Sequence, residues 1–337
     1  MRFATWEIDG TVTTGVAGPD GLHAFADQRP ILEIVRQGLP AALEAGTAAL
    51  RSSPITFEAA RLLPPLNPPT VRDFAAFAEH IDGVSRLVTG EGGVIPEWYE
   101  APVFYFSNPY AMIGAYDDVA VPPGCDVLDY ELEVAAVISG DGSSVAPHDA
   151  RSHIFGYTIF NDWSARDIQT REMKVGLGPT KAKDFATTLG PFLVTADEID
   201  EFRTSDGFLD LEATVSLNGT VIGRDNLRNM SWTFDELVAQ ASRGTWVRSG
   251  DVLGSGTVGN GGCLGEIWGR SGERDPSPLQ PGDVVEMTVD VLGSIRNVVV
   301  AGPPAPQIPE GRRHDWAVHR RARWGAYRGC SSLDRRR

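Results

Sequence analysis

Leu128-Asp129-Tyr130-Glu131-Leu132-Glu133-Val134 is the stretch on which the fold turns, together with Phe160-Asn161-Asp162-Trp163 further along. With the period of two of a β-strand, Asp129, Glu131 and Glu133 point to one face and Tyr130, Leu132 and Val134 to the other. The strand continues as Ala135-Ala136-Val137-Ile138, an unbroken apolar run of the kind that is covered on both faces. Three carboxylates then stand at the mouth of a buried element, roughly 7 Å between neighbours. There they repel and lose solvation, so they need a cation or must give up charge. A solvated acidic face is the plain alternative, and the rest of the chain has to decide between the two.

The chain of 337 residues carries a formal net charge of −15, which disfavours nucleic acid and acidic membrane surfaces as partners. It has no apolar run long enough to span a bilayer, and Met1-Arg2-Phe3-Ala4-Thr5-Trp6-Glu7 lacks the basic flank and apolar stretch of an export signal. A cytoplasmic location is the resulting expectation. Cys125, Cys263 and Cys330 are scattered, without the spacing of a zinc site or a disulfide pair. All three lysines, Lys174, Lys181 and Lys183, fall in one ten-residue window, while positive charge elsewhere is carried by arginine.

The patterning divides the chain into three parts. Residues 1–69 read as a small N-terminal α/β subdomain: a strand from Arg2 to Ile8, short proline-opened helices from Pro30 to Gln37 and Pro40 to Leu50, and a stiff connector at Pro64-Pro65-Leu66-Asn67-Pro68-Pro69. Residues 70–301 hold the β-rich domain, with a strand from Thr187 to Val194 that Pro191 assigns to an edge or a bulge. In the same domain Asn218-Gly219 marks a hairpin, Thr233 to Arg243 a helix, and two strands follow Pro281-Gly282-Asp283. Residues 302–337, with nine arginines against three acidic residues, read as a disordered basic tail. The fold class is α+β and β-dominated.

Within 70–96, Thr70 and Asp73 fit a capping box ahead of an apolar stripe at Phe74, Phe77, Ile81 and Val84, which predicts one helix running through His80. Asp73 and His80 then stand about 10 Å apart in rise, suited to one holding a metal while the other reaches a substrate bound to it. From Asp162 the pattern also turns helical. Gly254-Ser255-Gly256-Thr257-Val258-Gly259 matches a dinucleotide fingerprint, but Asn260-Gly261-Gly262 follows it instead of a helix, so no nicotinamide site is assigned. Glu131, Glu133, Asp162 and Asp73 together form a set of hard oxygen ligands suited to Mg²⁺, Ca²⁺ or Mn²⁺. Such an ion can stabilise an enolate; His80 is the available base and Lys183 a point charge facing an oxyanion.

Four blocks resemble the fumarylacetoacetate hydrolase family in content and order. They are Asp129-Tyr130-Glu131-Leu132-Glu133, the run from Asn161-Asp162-Trp163-Ser164 to Gln169, Lys183-Asp184-Phe185-Ala186-Thr187-Thr188-Leu189-Gly190-Pro191, and Gly254-Ser255-Gly256-Thr257. The resemblance implies a mixed β-roll or sandwich, a homodimer, and a divalent metal held by Asp73, Glu131, Glu133 and Asp162, with Lys183 and Thr187 behind it. It further implies that His80, on a lid segment, activates water with Glu266 as its partner, and that Gln169, Thr257 and Arg166 meet substrate. The expected activity is hydrolysis of a C–C bond in a β-diketo acid of the acylpyruvate or fumarylacetoacetate type, as in aromatic amino acid catabolism. The alternative is a hydratase, decarboxylase or tautomerase acting on a 2-oxo acid at the same site. Ala75 and Met173 depart from the tyrosines that the family's fumarylacetoacetate enzymes carry there, and Asp129 falls to the rim of the site.

Overall fold

The computed structural model describes residues 1–314, and Met1–Pro303 form one compact unit. The part of the expected disordered tail from Asp315 onward lies outside the described residues. The scaffold is a large mixed sheet built from nine principal strands: β1 (Arg2–Ile8), β2 (Thr11–Gly18), β3 (Gly21–Ala24), β4 (Val71–Phe74), β5 (Phe104–Ser107), β6 (Leu132–Ile138), β7 (Ile154–Asp162), β8 (Thr187–Thr195) and β9 (Val252–Gly254). Their spatial order is β3-β2-β1-β8-β7-β6-β9-β4-β5. The first strands of the chain therefore extend the same sheet as the acidic strand, and Pro64–Pro69 links strands that share a core.

Both faces of β6 are covered, as its unbroken apolar run demands. Ala135 and Val137 pack with Phe155, Phe160, Leu189 and Leu193 under the helices α1 (Ile31–Gln37) and α2 (Leu39–Ala49), which contribute Ile31, Ile34, Val35 and Ala42. Leu132, Val134, Ala136 and Ile138 face the other way, onto a five-stranded sheet that contributes Val215, Val285, Met287, Val289 and Ile295. Each such large side chain stabilises the fold by roughly 1.5–3 kcal/mol when fully buried. The Asn218-Gly219 hairpin joins Glu212–Leu217 to Thr220–Asn226 in that second sheet, with Asn218 at φ 52° and Gly219 at φ 82°.

Several expectations need correction. Thr70 does not cap a helix: Val71–Phe74 is β4, paired in parallel with β9, and the helix α3 starts only at Ala78 and runs to Thr89. The apolar stripe was a four-residue strand followed by a helix, and the two periods coincide over so short a span. Likewise β7 runs through to Asp162, and the helix α4 spans Arg166–Val175. Pro191, by contrast, meets the expectation of an edge or a bulge by the second route: it sits in an interior strand, between β1 and β7, where the β7–β8 register shifts between Tyr157 and Ile159 and leaves no ladder partner requiring its missing N–H. The acidic strand itself breaks. Leu128–Asp129 pairs with Ser164–Ala165, and the main-sheet strand begins only at Leu132, so Asp129 leaves the face that Glu131 and Glu133 serve. Two further helices are α5 (Phe234–Ser242), opened by a Thr233–Glu236 capping box, and α6 (Leu264–Ser271), which packs on α3.

Candidate active site

On the face covered by α1 and α2, neighbouring strands place an apolar residue in the core and, two positions along, a polar residue or a glycine at one end of the sheet. Val71 is followed this way by Asp73, Phe160 by Asp162 and Val252 by Gly254, while Leu189 is preceded by Thr187 and Ala135 by Glu133. The registers Asp73 with Gly254, Gly254 with Ala135, and Asp162 with Thr187 carry the row across the sheet. Asp73, Glu131, Glu133 and Asp162 thus lie at 2%, 4%, 0% and 0% exposure; Asp73, Glu131 and Glu133 bring one carboxylate oxygen each to within 4.8 Å of one another, and Asp162 joins them through Lys183 Nζ and the Tyr105 hydroxyl. Gly254 is required at the centre: a Cβ there would lie 2.5 Å from Asp73 Oδ1 and 3.1 Å from Glu133 Oε2.

The cluster holds more negative charge than its neighbours balance. Lys183 Nζ bridges Glu131 and Asp162, and Arg166 reaches Glu131 Oε1 at 2.8 Å. Burial opposes the charge of Glu131, but Lys183, Arg166 and His80 outweigh it and hold its carboxyl well below the usual range. Glu133 goes the other way, pushed far up by burial and then by Asp73, Glu131 and Asp162. Asp162 is also raised, burial prevailing over Lys183, and Asp73 is raised chiefly by burial. Lys183 stays ammonium because Asp162 and Glu131 overcome its own desolvation. The Gly256 N–H donates to Glu133 Oε2 at 3.0 Å and the Thr257 hydroxyl to Oε1 at 3.3 Å, while Asp73 Oδ1, Asp162 Oδ1 and the Thr187 hydroxyl are buried without hydrogen-bond partners. Unpartnered hard oxygens, converging and short of positive charge, fit a divalent cation of the Mg²⁺, Mn²⁺ or Ca²⁺ type.

Beside the cluster, α3 lies tightly on α6. A Cβ at Gly269 would stand 1.9 Å from the Gly83 carbonyl oxygen, and one at Gly83 would stand 2.4 Å from Glu266 Cγ. That close approach brings His80 Nδ1 to 3.9 Å from Glu266 Oε2, with Arg270 at 2.9 Å from the other Glu266 oxygen. Cys263, the N-cap of α6, accepts from the Glu266 N–H through Sγ at 3.3 Å and lies 3.8 Å from His80 Nδ1.

The structure also changes some assignments. Asp129 is no rim residue: it is fully buried, accepts the N–H groups of Leu264 and Gly265 at 2.8 and 2.9 Å at the start of α6, and binds Arg166. Arg166 pairs with Asp129 and Glu131, and its Nη1 donates to the Gln169 side chain at 3.1 Å. The sequence reading missed Tyr105. Its hydroxyl donates to Asp73 Oδ2 at 2.9 Å and also touches Asp162, and nothing in Val103-Phe104-Tyr105-Phe106 reveals that β5 runs beside Asp73. Cys263 and Asn161, whose Oδ1 accepts the Glu131 N–H at 3.0 Å, were likewise given no role.

The α+β scaffold thus gathers four buried carboxylates, a lysine and a histidine beside a carboxylate at one end of its large sheet. The chain belongs to the fumarylacetoacetate hydrolase family: residues 70–300 match the family model for the fumarylacetoacetate (FAA) hydrolase C-terminal region. A fumarylacetoacetase of Dictyostelium discoideum is 31% identical over 229 residues, 55% of this chain and 53% of that protein. An oxaloacetate tautomerase of Bacillus subtilis is 30% identical over 201 residues, 59% of this chain and 62% of that protein. The chain thus spans little more than half the length of such curated relatives. A maleylpyruvate hydrolase from Sphingobium, solved with manganese(II) and pyruvate, has the same fold, with a TM-score of 0.65 over 90% of this chain and 100% of that one at 20% identity. Among the described residues no helix is long and apolar enough to cross a membrane.

Proposed function

We propose that this chain is a divalent-metal-dependent hydrolase that cleaves a C–C bond in a β-diketo acid of the acylpyruvate or fumarylacetoacetate type. The observation that carries this reading is the placement of His80 between Glu266 and the carboxylate cluster, because C–C hydrolysis needs a base for water next to the group that holds the diketone. Asp73, Glu131, Glu133 and Asp162 would hold the ion, with Mg²⁺, Mn²⁺ and Ca²⁺ all suited to the oxygen set. When bound, the ion supplies Lewis-acid stabilisation of the departing enolate. His80 takes a proton from water, and Glu266 stabilises the imidazolium that results. Lys183 keeps Glu131 and Asp162 oriented and offers its charge to the enolate side of the site. Arg166 acts as a positioning residue for Glu131 and Gln169, and Thr257 for Glu133.

A second reading, a 2-oxo-acid tautomerase, hydratase or decarboxylase, is favoured by the match to an oxaloacetate tautomerase. The two separate on one experiment: turnover of acylpyruvates and of oxaloacetate, with and without Mg²⁺, in the wild type and in His80→Ala. Acylpyruvate cleavage that needs Mg²⁺ and collapses in His80→Ala supports the hydrolase. Turnover of oxaloacetate alone, unaffected by that substitution, selects the second reading, and turnover indifferent to EDTA defeats both. The proposal includes a cytoplasmic homodimer working on small keto acids, checked by light scattering of the purified chain and by cell fractionation.

A further inference from the structure

Beside the oxygen cluster a second set of ligand atoms converges. A nitrogen of His80, a carboxylate oxygen of Glu131 and Cys263 Sγ lie within 4.8 Å of one another, all on buried residues. Cys263 Sγ and His80 Nδ1 are 3.8 Å apart. Sulfur and nitrogen ligands on one tetrahedral zinc ion stand about 3.5 Å apart, as bond lengths of about 2.3 and 2.0 Å require. An independent observation points the same way: Glu266 is fully buried, its Oε2 has no hydrogen-bond partner, and that atom lies 3.9 Å from His80 Nδ1.

We propose that Cys263, His80 and Glu131, with the Glu266 carboxylate beside the His80 ring, form a site for a thiophilic divalent cation such as Zn²⁺, distinct from the all-oxygen cluster and sharing only Glu131 with it. The donor set selects the ion: a sulfur and an imidazole favour zinc or cobalt, whereas the neighbouring carboxylates favour hard ions. Binding forms a metal–sulfur bond and releases the thiol proton to solvent, and no electron is transferred. The thiolate and Glu131 carboxylate together cancel the charge of the dication. Lys183 and Arg166 already hold Glu131, so sulfur and imidazole supply most of the affinity. If His80 is the base proposed above, an ion on its ring silences the enzyme; the binding itself does not rest on that reading.

The test is a Co²⁺ titration of the full chain in excess Mg²⁺, followed by absorption and without substrate, so its outcome is separate from that of the turnover experiment. The expected result is a thiolate-to-cobalt charge-transfer band that saturates at one equivalent and is bleached by Zn²⁺. It disappears in Cys263→Ser, which keeps an oxygen acceptor at the α6 N-cap, weakens at least tenfold in apparent affinity in His80→Ala, and persists in Glu133→Gln. Cobalt that binds the wild type without this band overturns the proposal, as does a band that survives in Cys263→Ser.

Discussion

Asp129 and Glu133 stand four residues apart on one stretch of chain and are both fully buried, yet their surroundings are opposite. Asp129 accepts three backbone N–H groups, those of Tyr130, Leu264 and Gly265, and pairs with the Arg166 guanidinium at 2.7 Å. Glu133 receives one N–H and one hydroxyl, and otherwise faces Asp73, Glu131 and Asp162. A buried carboxylate with its hydrogen bonds and counter-charge in place holds structure together; one surrounded by like charge is destabilised and awaits a cation. The same sequence pattern, an acid at every second residue, has therefore been put to two uses. Removing each acid should produce opposite effects.

The largest effect is expected from Glu133→Gln, which should lower turnover more than about a thousandfold by removing a ligand, while leaving the metal-free protein as stable as the wild type or more so. Turnover assays paired with thermal unfolding in EDTA read both. Next comes His80→Ala, expected to cost about 10²–10⁴-fold in acylpyruvate cleavage with little change in Mg²⁺ affinity by calorimetry. Asp129→Ala should act on the fold instead. It leaves the buried Arg166 and the first N–H groups of α6 without their acceptor, a loss of about 3–5 kcal/mol to be read by denaturant unfolding without metal. If Asp129→Ala spares stability and Glu133→Gln does not, the contrast between the two acids is mistaken.

Proton linkage sharpens the contrast. Asp73, Glu133 and Asp162 hold their protons to higher pH than a free carboxyl does, burial being the first cause in each case. In the folded, metal-free protein these groups bind protons that the unfolded chain has released above about pH 4. Their contribution to stability is therefore present at low pH and lost as pH rises through their raised values. Glu131, whose pKa is lowered by Lys183, Arg166 and His80 in spite of burial, contributes the other way, with stability lost as pH falls. A metal ion displaces the protons, so the increase in Tm produced by Mg²⁺ should grow between about pH 5 and pH 8. Scanning calorimetry across that range tests it, and an increment that shrinks with pH contradicts the shared-cluster electrostatics.

The comparison of the two acids also shows where sequence reading stops. Glu131 and Glu133 were legible because an alternating acidic stretch entering an apolar run has few physical explanations, and the burial of β6 on both faces followed from the run itself. Asp129 was misplaced because the pattern does not record that the chain breaks at Tyr130, where the Tyr130 N–H turns back to the Asp129 side chain and Glu131 N–H to Asn161. Asp73 was named, but on a helix, since Val71–Phe74 is too short to separate a period of 2 from one of 3.6. The large sheet was out of reach for a further reason: its order joins Arg2–Ile8 to Thr187–Thr195 and Val71–Phe74 to Val252–Gly254, and local patterns carry no information about such distant pairings.

Tyr105 is the sharpest instance of that limit and yields the smallest predicted effect. Register alone brings it opposite Asp73, and its hydroxyl lies at the cluster, where burial and then Asp162 and Asp73 keep the phenol protonated far above its ordinary range. A protonated phenol between two carboxylates contacts one oxygen of each, Asp73 Oδ2 and Asp162 Oδ2, and leaves both Oδ1 atoms buried without a hydrogen-bond partner. Partners of metal ligands of this kind are worth about 10–100-fold in affinity. Tyr105→Phe keeps the ring and removes only that hydroxyl, so Mg²⁺ should bind about tenfold more weakly by calorimetry while metal-free unfolding shifts little. An unchanged Mg²⁺ affinity would mean that the backbone registers of β4 and β7 alone orient the two aspartates, and that the difference between Asp129 and the cluster lies in charge balance and not in hydrogen bonding.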